Sequence, residues 1–374
     1  FKDALAQYPS DPAVYGQLAQ LYVQLQRTDD AVNLLKDVQT KSPKDPRPSF
    51  LLADLYLALN RGAESRALLV EMKKSFPENL DVAAKLAANL MGDKPEESRA
   101  EIDRILKVQP KNPIGLLLLG ELQFFSGQFD AAEATLGDPL MVNTRLPEVQ
   151  FFLGNLALRK GQADKALDYY QKALTLNPGY LQARTTLAGL LLDTGKTADA
   201  RVEIRKVLDI NKGYLPARLI QAGINRAEKR FSEAESELLF LAKQLPESPD
   251  VQQQLALYYL ARERNADAEK GFVRALELEP NAPRRLQDLV QFYTIQKQPD
   301  KAIQRINAIP EDKKQAFHYV MLGAVYAQSG KVAEAESAYK TALEKDPKGT
   351  NADDALAGLY IRNGRADEGL QKLD

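Results

Sequence analysis

The sequence predicts an all-α protein, a solenoid of antiparallel helix hairpins, and three observations carry that expectation. Segments of closely similar pattern recur every 34 residues, a period that belongs to stacked repeats. Within each period the apolar residues fall at helical spacing in two successive stretches. A proline closes most periods, where it lacks the N–H and the steric room to continue a helix.

The second stretch of each period is clearest in ALDYYQKALTLNP (166–178), AEKGFVRALELEP (268–280) and AESAYKTALEKDP (335–347). Each sets down a small residue, then an aromatic ring, an Ala and a closing Pro at fixed offsets. Upstream of these lie FFLGNLALRKG (151–161), QQLALYYLARE (253–263) and VMLGAVYAQSG (320–330), the first helices of the same hairpins. With the closing proline at position 32, repeats begin at Pro12, Pro46, Leu80, Pro113, Pro147, Leu181, Leu215, Pro249, Pro283, Ala316 and Thr350. Positions 8 and 20 are small throughout except at Val290, so the two helices of a hairpin can approach closely. Leu at position 7 and Leu35, Leu69, Tyr170, Phe272 or Tyr339 at position 24 fill the space beside that contact. At position 15, Gly127, Gly161, Gly195, Gly330 and Gly364 permit the tight turn between helices.

These residues resemble the tetratricopeptide repeat family, and the resemblance runs along the whole chain. It implies a right-handed superhelical solenoid whose concave groove is lined by positions 2, 5, 9, 12 and 13 of each first helix. At those positions stand Arg47, Phe50, Asp54 and Leu57 in repeat two, and Leu117, Glu121, Phe124 and Phe125 in repeat four. Repeat five supplies Glu148, Phe151, Asn155, Leu158 and Arg159, while later repeats turn polar with Gln253, Arg284, Gln287 and Gln291. The partner-binding surface is therefore expected on repeats four and five. Apolar Leu117, Phe124, Phe125, Phe151 and Leu158 would supply area there, and Glu121, Glu148, Asn155 and Arg159 would orient the partner. Packing of Phe124, Phe125 and Phe151 between repeats is the competing reading. Neither the carboxylate clamp of the chaperone-binding members nor the asparagine ladder of the sugar-transferring ones is present.

Composition narrows the function classes. The chain of 374 residues has no Cys and one His, His318, which removes thiol nucleophiles, Cys- or multi-His zinc sites and any two-histidine mechanism. Its net charge is −1, and basic and acidic residues balance along its length, so the one-sided basic field that nucleic-acid binding needs is lacking. The cluster Arg218, Arg226, Lys229 and Arg230 is offset by Glu228, Glu233, Glu235 and Glu237. No apolar run reaches the roughly 18 residues of a membrane span. Gly195-Lys196-Thr197 lacks the spacing of a phosphate-binding loop and reads as an interhelix turn. Glu96-Glu97 and Asp353-Asp354 sit at helix starts, where the helix dipole favours acids. No catalytic residue, metal site or cofactor is expected.

The expected organisation is a second-helix remnant over 1–11, ten repeats in one continuous array over 12–349, and an incomplete eleventh repeat over 350–374, the whole read as a piece of a longer protein. Regularity breaks in three places. Repeat three has a shortened turn at 92–98, repeat four runs through Gly137-Asp138-Pro139, giving a hinge at 137–147, and repeat nine closes at Ile309-Pro310. The functional expectation is a non-enzymatic scaffold that binds a peptide or helix of a partner protein in its groove. The alternative is a targeting or substrate-recruiting arm of a larger enzyme or of an envelope or polysaccharide assembly complex. Self-association through exposed helix edges is a third, structural expectation. Bacterial periplasm and cytoplasm both remain open as the compartment.

Overall fold

The computed structural model describes residues 11–280, 282–347 and 350–371. The remnant expected over 1–11 lies outside them except for Asp11, as does the stretch 372–374 of the last repeat. Every regular element among the described residues is helical. The chain divides into two units, Phe1–Leu187 and Ala188–Asp374.

In the first unit, hairpins are formed by α1 (Pro12–Gln24) with α2 (Thr28–Lys41), α3 (Arg47–Ala58) with α4 (Gly62–Ser75), and α5 (Leu80–Leu90) with α6 (Pro95–Val108). They continue with α7 (Pro113–Phe125) and α8 (Phe129–Leu136), a one-turn α9 (Pro139–Val142), then α10 (Pro147–Arg159) with α11 (Ala163–Leu176). The division between units falls within α12 (Leu181–Asp193). In the second unit follow α13 (Thr197–Ile210), α14 (Leu215–Ala227) with α15 (Phe231–Gln244), and α16 (Pro249–Ala261) with α17 (Asn265–Leu278). Last come α18 (Pro283–Ile295) with α19 (Pro299–Asn307), α20 (Ala316–Gln328) with α21 (Val332–Lys345), and α22 (Thr350–Arg362) with α23 (Ala366–Leu370).

Local chemistry sets the helix starts. Asp11, Asn79 and Asn112 each accept a backbone N–H of the first turn at 2.9 Å, satisfying a donor that has no intrahelical acceptor. Proline occupies the first positions of α1, α7, α10, α16 and α18, where its missing N–H costs nothing. The hairpin turns are equally uniform. Residues 26, 60, 127, 161, 195, 229, 263, 297, 330 and 364 all take a left-handed backbone. Five of them are Gly and five are not: Gln26, Asn60, Lys229, Glu263 and Lys297 hold φ between 55° and 60°. Each turn closes as the Gly127 turn does, with Gln128 N–H donating to Gln123 O at 2.8 Å and Gly127 N–H to Phe124 O at 3.1 Å. Repeat three, one residue short, closes instead through Lys94 N–H to Leu90 O at 2.8 Å, with no left-handed residue.

The core is a string of small clusters, each shared by neighbouring hairpins. Tyr15, Leu35, Leu52 and Tyr56 form one, Leu69, Met72, Val82 and Leu86 the next, and Ile102, Ile105, Leu118 and Leu122 the one after. In the second unit Leu238, Leu241, Val251 and Tyr258 cluster, as do Phe272, Leu289, Phe292 and Tyr293. Close approach explains the small residues at position 8. A Cβ on Gly120 would lie 2.5 Å from Leu136 and one on Gly154 2.6 Å from Tyr170, well inside contact distance.

The two internal prolines do not interrupt helices. In repeat four the second helix stops at Leu136, and Asp138 starts α9 afresh by accepting Leu140 N–H at 2.8 Å, so Pro139 stands at the first helical position. Met141 from this short turn is fully buried. In repeat nine α19 ends at Asn307, and Pro310 leads into a 3-10 turn, Glu311–Lys313.

Candidate interaction surface

The residues expected to bind a partner lie on α7 and α10 of the first unit, and packing sorts them into two kinds. Leu117 and Phe151 belong to the core, at 6% and 3% exposure. The Phe151 ring contacts Phe152 at 5.4 Å, Tyr180 at 5.5 Å and Tyr170 at 5.9 Å between centroids. A ring so enclosed holds α10 against its neighbours and has no face left for a partner, which corrects its expected role as an anchor. Asn155 is also committed to the framework. Its Oδ1 accepts the Tyr170 hydroxyl at 2.7 Å, and burial pushes the Tyr170 phenol well above its ordinary range.

Phe125 and Leu158 are the exposed apolar members, at 64% and 39%. Phe125 stands on a continuous aromatic platform: Phe124 meets Phe125, Phe129 and Phe152 edge-on at 5.6, 5.6 and 5.5 Å, and Phe152 meets Phe125 at 5.8 Å. Edge-to-face contacts fix the rings and so lower the entropy lost when another surface closes over them. The Arg159 guanidinium lies 3.9 Å from the Phe129 ring centroid, which holds its charge beside that platform.

Glu121 gives the surface its electrostatic character. Burial first, and then the charge of Glu148, push its carboxyl up to about 7. Both carboxylates come from the first helices of consecutive repeats, so the stacking of hairpins brings together two like charges that are 27 residues apart in sequence. Nothing in the local sequence of either helix marks this coupling. Elsewhere in the first unit a buried acid is compensated: the Glu101 carboxylate is paired with Lys73 and, at 3.5 Å, with Arg104.

A second feature escaped the sequence pattern. Where the residue after the left-handed turn is basic and the residue five before it is Tyr, the cation stacks on that ring. Arg27 lies 4.9 Å from Tyr22, Arg61 4.8 Å from Tyr56, Arg264 4.3 Å from Tyr259 and Arg365 4.1 Å from Tyr360. The turn that joins these residues by a backbone hydrogen bond also superposes their side chains. A Tyr–x4–Arg spacing is the sequence signal that finds it. Among the described residues no three acidic or histidine side chains converge to hold a metal ion, and no helix is long and apolar enough to cross a membrane.

Repeated hairpins of this length, closed by this turn and packed through small residues at fixed places, define a helical repeat protein. The chain belongs to the tetratricopeptide repeat family: one model of that repeat matches residues 1–47, 26–90, 157–219 and 259–324, more than half of the chain, and a second matches 117–181 and 320–374. Such repeats mark a protein-interaction scaffold, and members of the family bind proteins or peptides. Over a match 108 residues long that covers 26% of the chain, this chain is 31% identical to cellulose synthase operon protein C of Pseudomonas fluorescens (strain SBW25), and the match spans 8% of that protein's length. Among solved structures, yeast Tom70 is similar over 98% of this chain and 91% of its own, with a TM-score of 0.52 and 14% identity. The human IFIT1 dimer with m7Gppp-AAAA is similar over 97% and 89%, with a TM-score of 0.50 and 16% identity. At these identities the two structures speak for the fold alone.

Proposed function

We propose that this chain is a non-enzymatic scaffold that docks an extended or helical segment of a partner protein on α7 and α10, against Phe125 and Leu158. The single observation that carries the reading is Phe125, a large ring at 64% exposure held edge-on against Phe124 and Phe152. An ordered ring left in water is the kind of anchor that interaction sites use. Arg159, Glu121 and Glu148 border it and would orient the segment. Leu117, Phe151 and Asn155 serve it from beneath by holding the helices in place.

The test is a pull-down of native partners followed by titration of the recovered partner. Phe125→Ala with Leu158→Ala weakens binding by about 2 kcal/mol or more, whereas Gln287→Ala in repeat nine leaves it unchanged. Because both altered side chains are exposed, the double variant stays folded, and an unaltered affinity would overturn the site.

The second reading, a recruiting arm of an envelope or polysaccharide assembly complex, draws support from the 108-residue likeness to cellulose synthase operon protein C. Recovery of polysaccharide-synthesis proteins in the same pull-down is the outcome that favours it.

A further inference from the structure

A cavity of about 630 Å³ opens in the second unit where repeat nine closes early. The second helix there, α19, ends at Asn307, and the chain turns through Ile309 and Pro310 before the 3-10 turn. The space left by the shortened helix is walled by Pro280, Pro283, Leu286, Ile309 and Pro310 on its apolar side. The start of α20 contributes Phe317 and His318, and Asp312 and Lys313 stand at the rim. A volume of this size, apolar on one side and polar on the other, has room for a small molecule.

His318, the one histidine of the chain, is 9% exposed and lines this cavity. Its Nδ1 accepts the Gln315 N–H at 2.9 Å, so the neutral ring carries its proton on Nε2. Burial lowers the imidazole below its ordinary range, against the raising effect of the Gln315 bond and with a smaller contribution from the charge of Lys314. Phe317 packs on the imidazole at 3.8 Å between centroids and fixes its plane. The Nε2–H makes no hydrogen bond among the described residues. At the same place α20 begins. Its His318 N–H bonds Gln315 O at 3.0 Å, while the N–H groups of Ala316 and Phe317 have no backbone acceptor among the described residues.

We propose that this cavity binds a small organic carboxylate on an apolar body. The carboxylate accepts from His318 Nε2–H and from the N–H groups at the start of α20, where the helix dipole favours an anion. The apolar body lies against Leu286, Ile309 and the three prolines. Lys313 pairs with no acid among the described residues and adds a positive charge at the rim, which the neighbouring Asp312 opposes. That balance suits a single negative charge and disfavours a phosphate dianion, which would meet Asp312 with one free lysine to offset it. The site lies in the second unit and is independent of the aromatic surface in the first.

Because the chain has one histidine, its imidazole signal in a proton–carbon NMR spectrum reports this site alone. The full chain is titrated with 4-methylpentanoate and with N-acetyl-leucyl-leucine, each against its primary amide, and with inorganic phosphate. Either carboxylate is expected to shift the His318 signal saturably at roughly millimolar concentration or below, with its amide at least about tenfold weaker, reflecting the loss of the charge-assisted bonds. A response to the free acid alone assigns a metabolite-like ligand, and a response to the dipeptide alone assigns a peptide C-terminus. Asp312→Asn tightens binding and Lys313→Gln weakens it by about two- to fivefold, the range for exposed charges. No saturable shift with either carboxylate, equal response to the amides, or a response confined to phosphate would overturn the proposal.

Discussion

Glu121 shows how much a single side chain on the candidate surface gives up for its position. A carboxyl raised to about 7 in the folded chain, against 4.5 when solvated, binds its proton more tightly folded than unfolded. Its effect on stability is therefore absent below the unfolded value, grows as pH rises through 4.5 to 7, and is a constant penalty above that. Glu121→Gln is expected to stabilise the fold at pH 8 by up to about 3 kcal/mol and to change little at pH 4. Denaturant unfolding of both proteins at the two pH values measures this, and an equal effect at both would show that burial of charge is not the cause. The left-handed residues at position 15 give a second expectation at this scale. Lys229 at φ 60° pays a steric cost that Gly avoids, while Gly127 at φ 75° has open space around it and only backbone conformation to lose. Lys229→Gly should stabilise by about 0.5–1 kcal/mol and Gly127→Ala destabilise by a similar amount. Thermal unfolding of the two variants checks the opposite signs.

At the scale of elements, the hairpin is the unit that the sequence repeats, and its turn is the most conserved geometry within the chain. Gly at position 15 reads directly as a left-handed residue, but Gln26, Lys229, Glu263 and Lys297 adopt the same backbone. They do so because the two turn hydrogen bonds and the packing of both helices fix the conformation whichever side chain stands there. Repeat four departs from the pattern more deeply. Splitting its second helix leaves α9 with a single turn, too short to sustain an internal ladder of hydrogen bonds. The amides of 137–143 are expected to exchange with deuterium well before those of the 14-residue α11 in the next repeat. Equal protection of the two segments would show that burial of Met141 alone suffices to hold α9 closed.

At the scale of the whole molecule, the balanced charge and the family together describe a scaffold whose chemistry resides in what its surface can hold. Helical hairpins at a fixed period were legible in the sequence because each period repeats the same constraint. Small residues sit at the helix contact, large ones lie beside it, and a proline follows at the stop. The first helices accordingly start at Pro12, Leu80, Pro113, Pro147 and Pro283, where the pattern places them, and at Arg47 one residue after it. The candidate surface was legible only as a set of positions. Sequence places Phe125, Phe151, Leu117 and Leu158 on one face of their helices by helical spacing, since that depends on local geometry alone. Which of them meets water was decided by how the hairpins pack: Tyr170 and Tyr180 enclose Phe151, while Phe125 meets only Phe124 and Phe152 and stays exposed. The same holds for Glu121, whose proton affinity depends on its burial and then on Glu148 in the next repeat, and for the cavity beside His318, which lies where α19 ends early. Secondary structure and period follow from contacts within a few turns of chain, so the sequence alone determines them. Exposure, proton affinity and cavities depend on which surfaces come together, and those the tertiary structure decides.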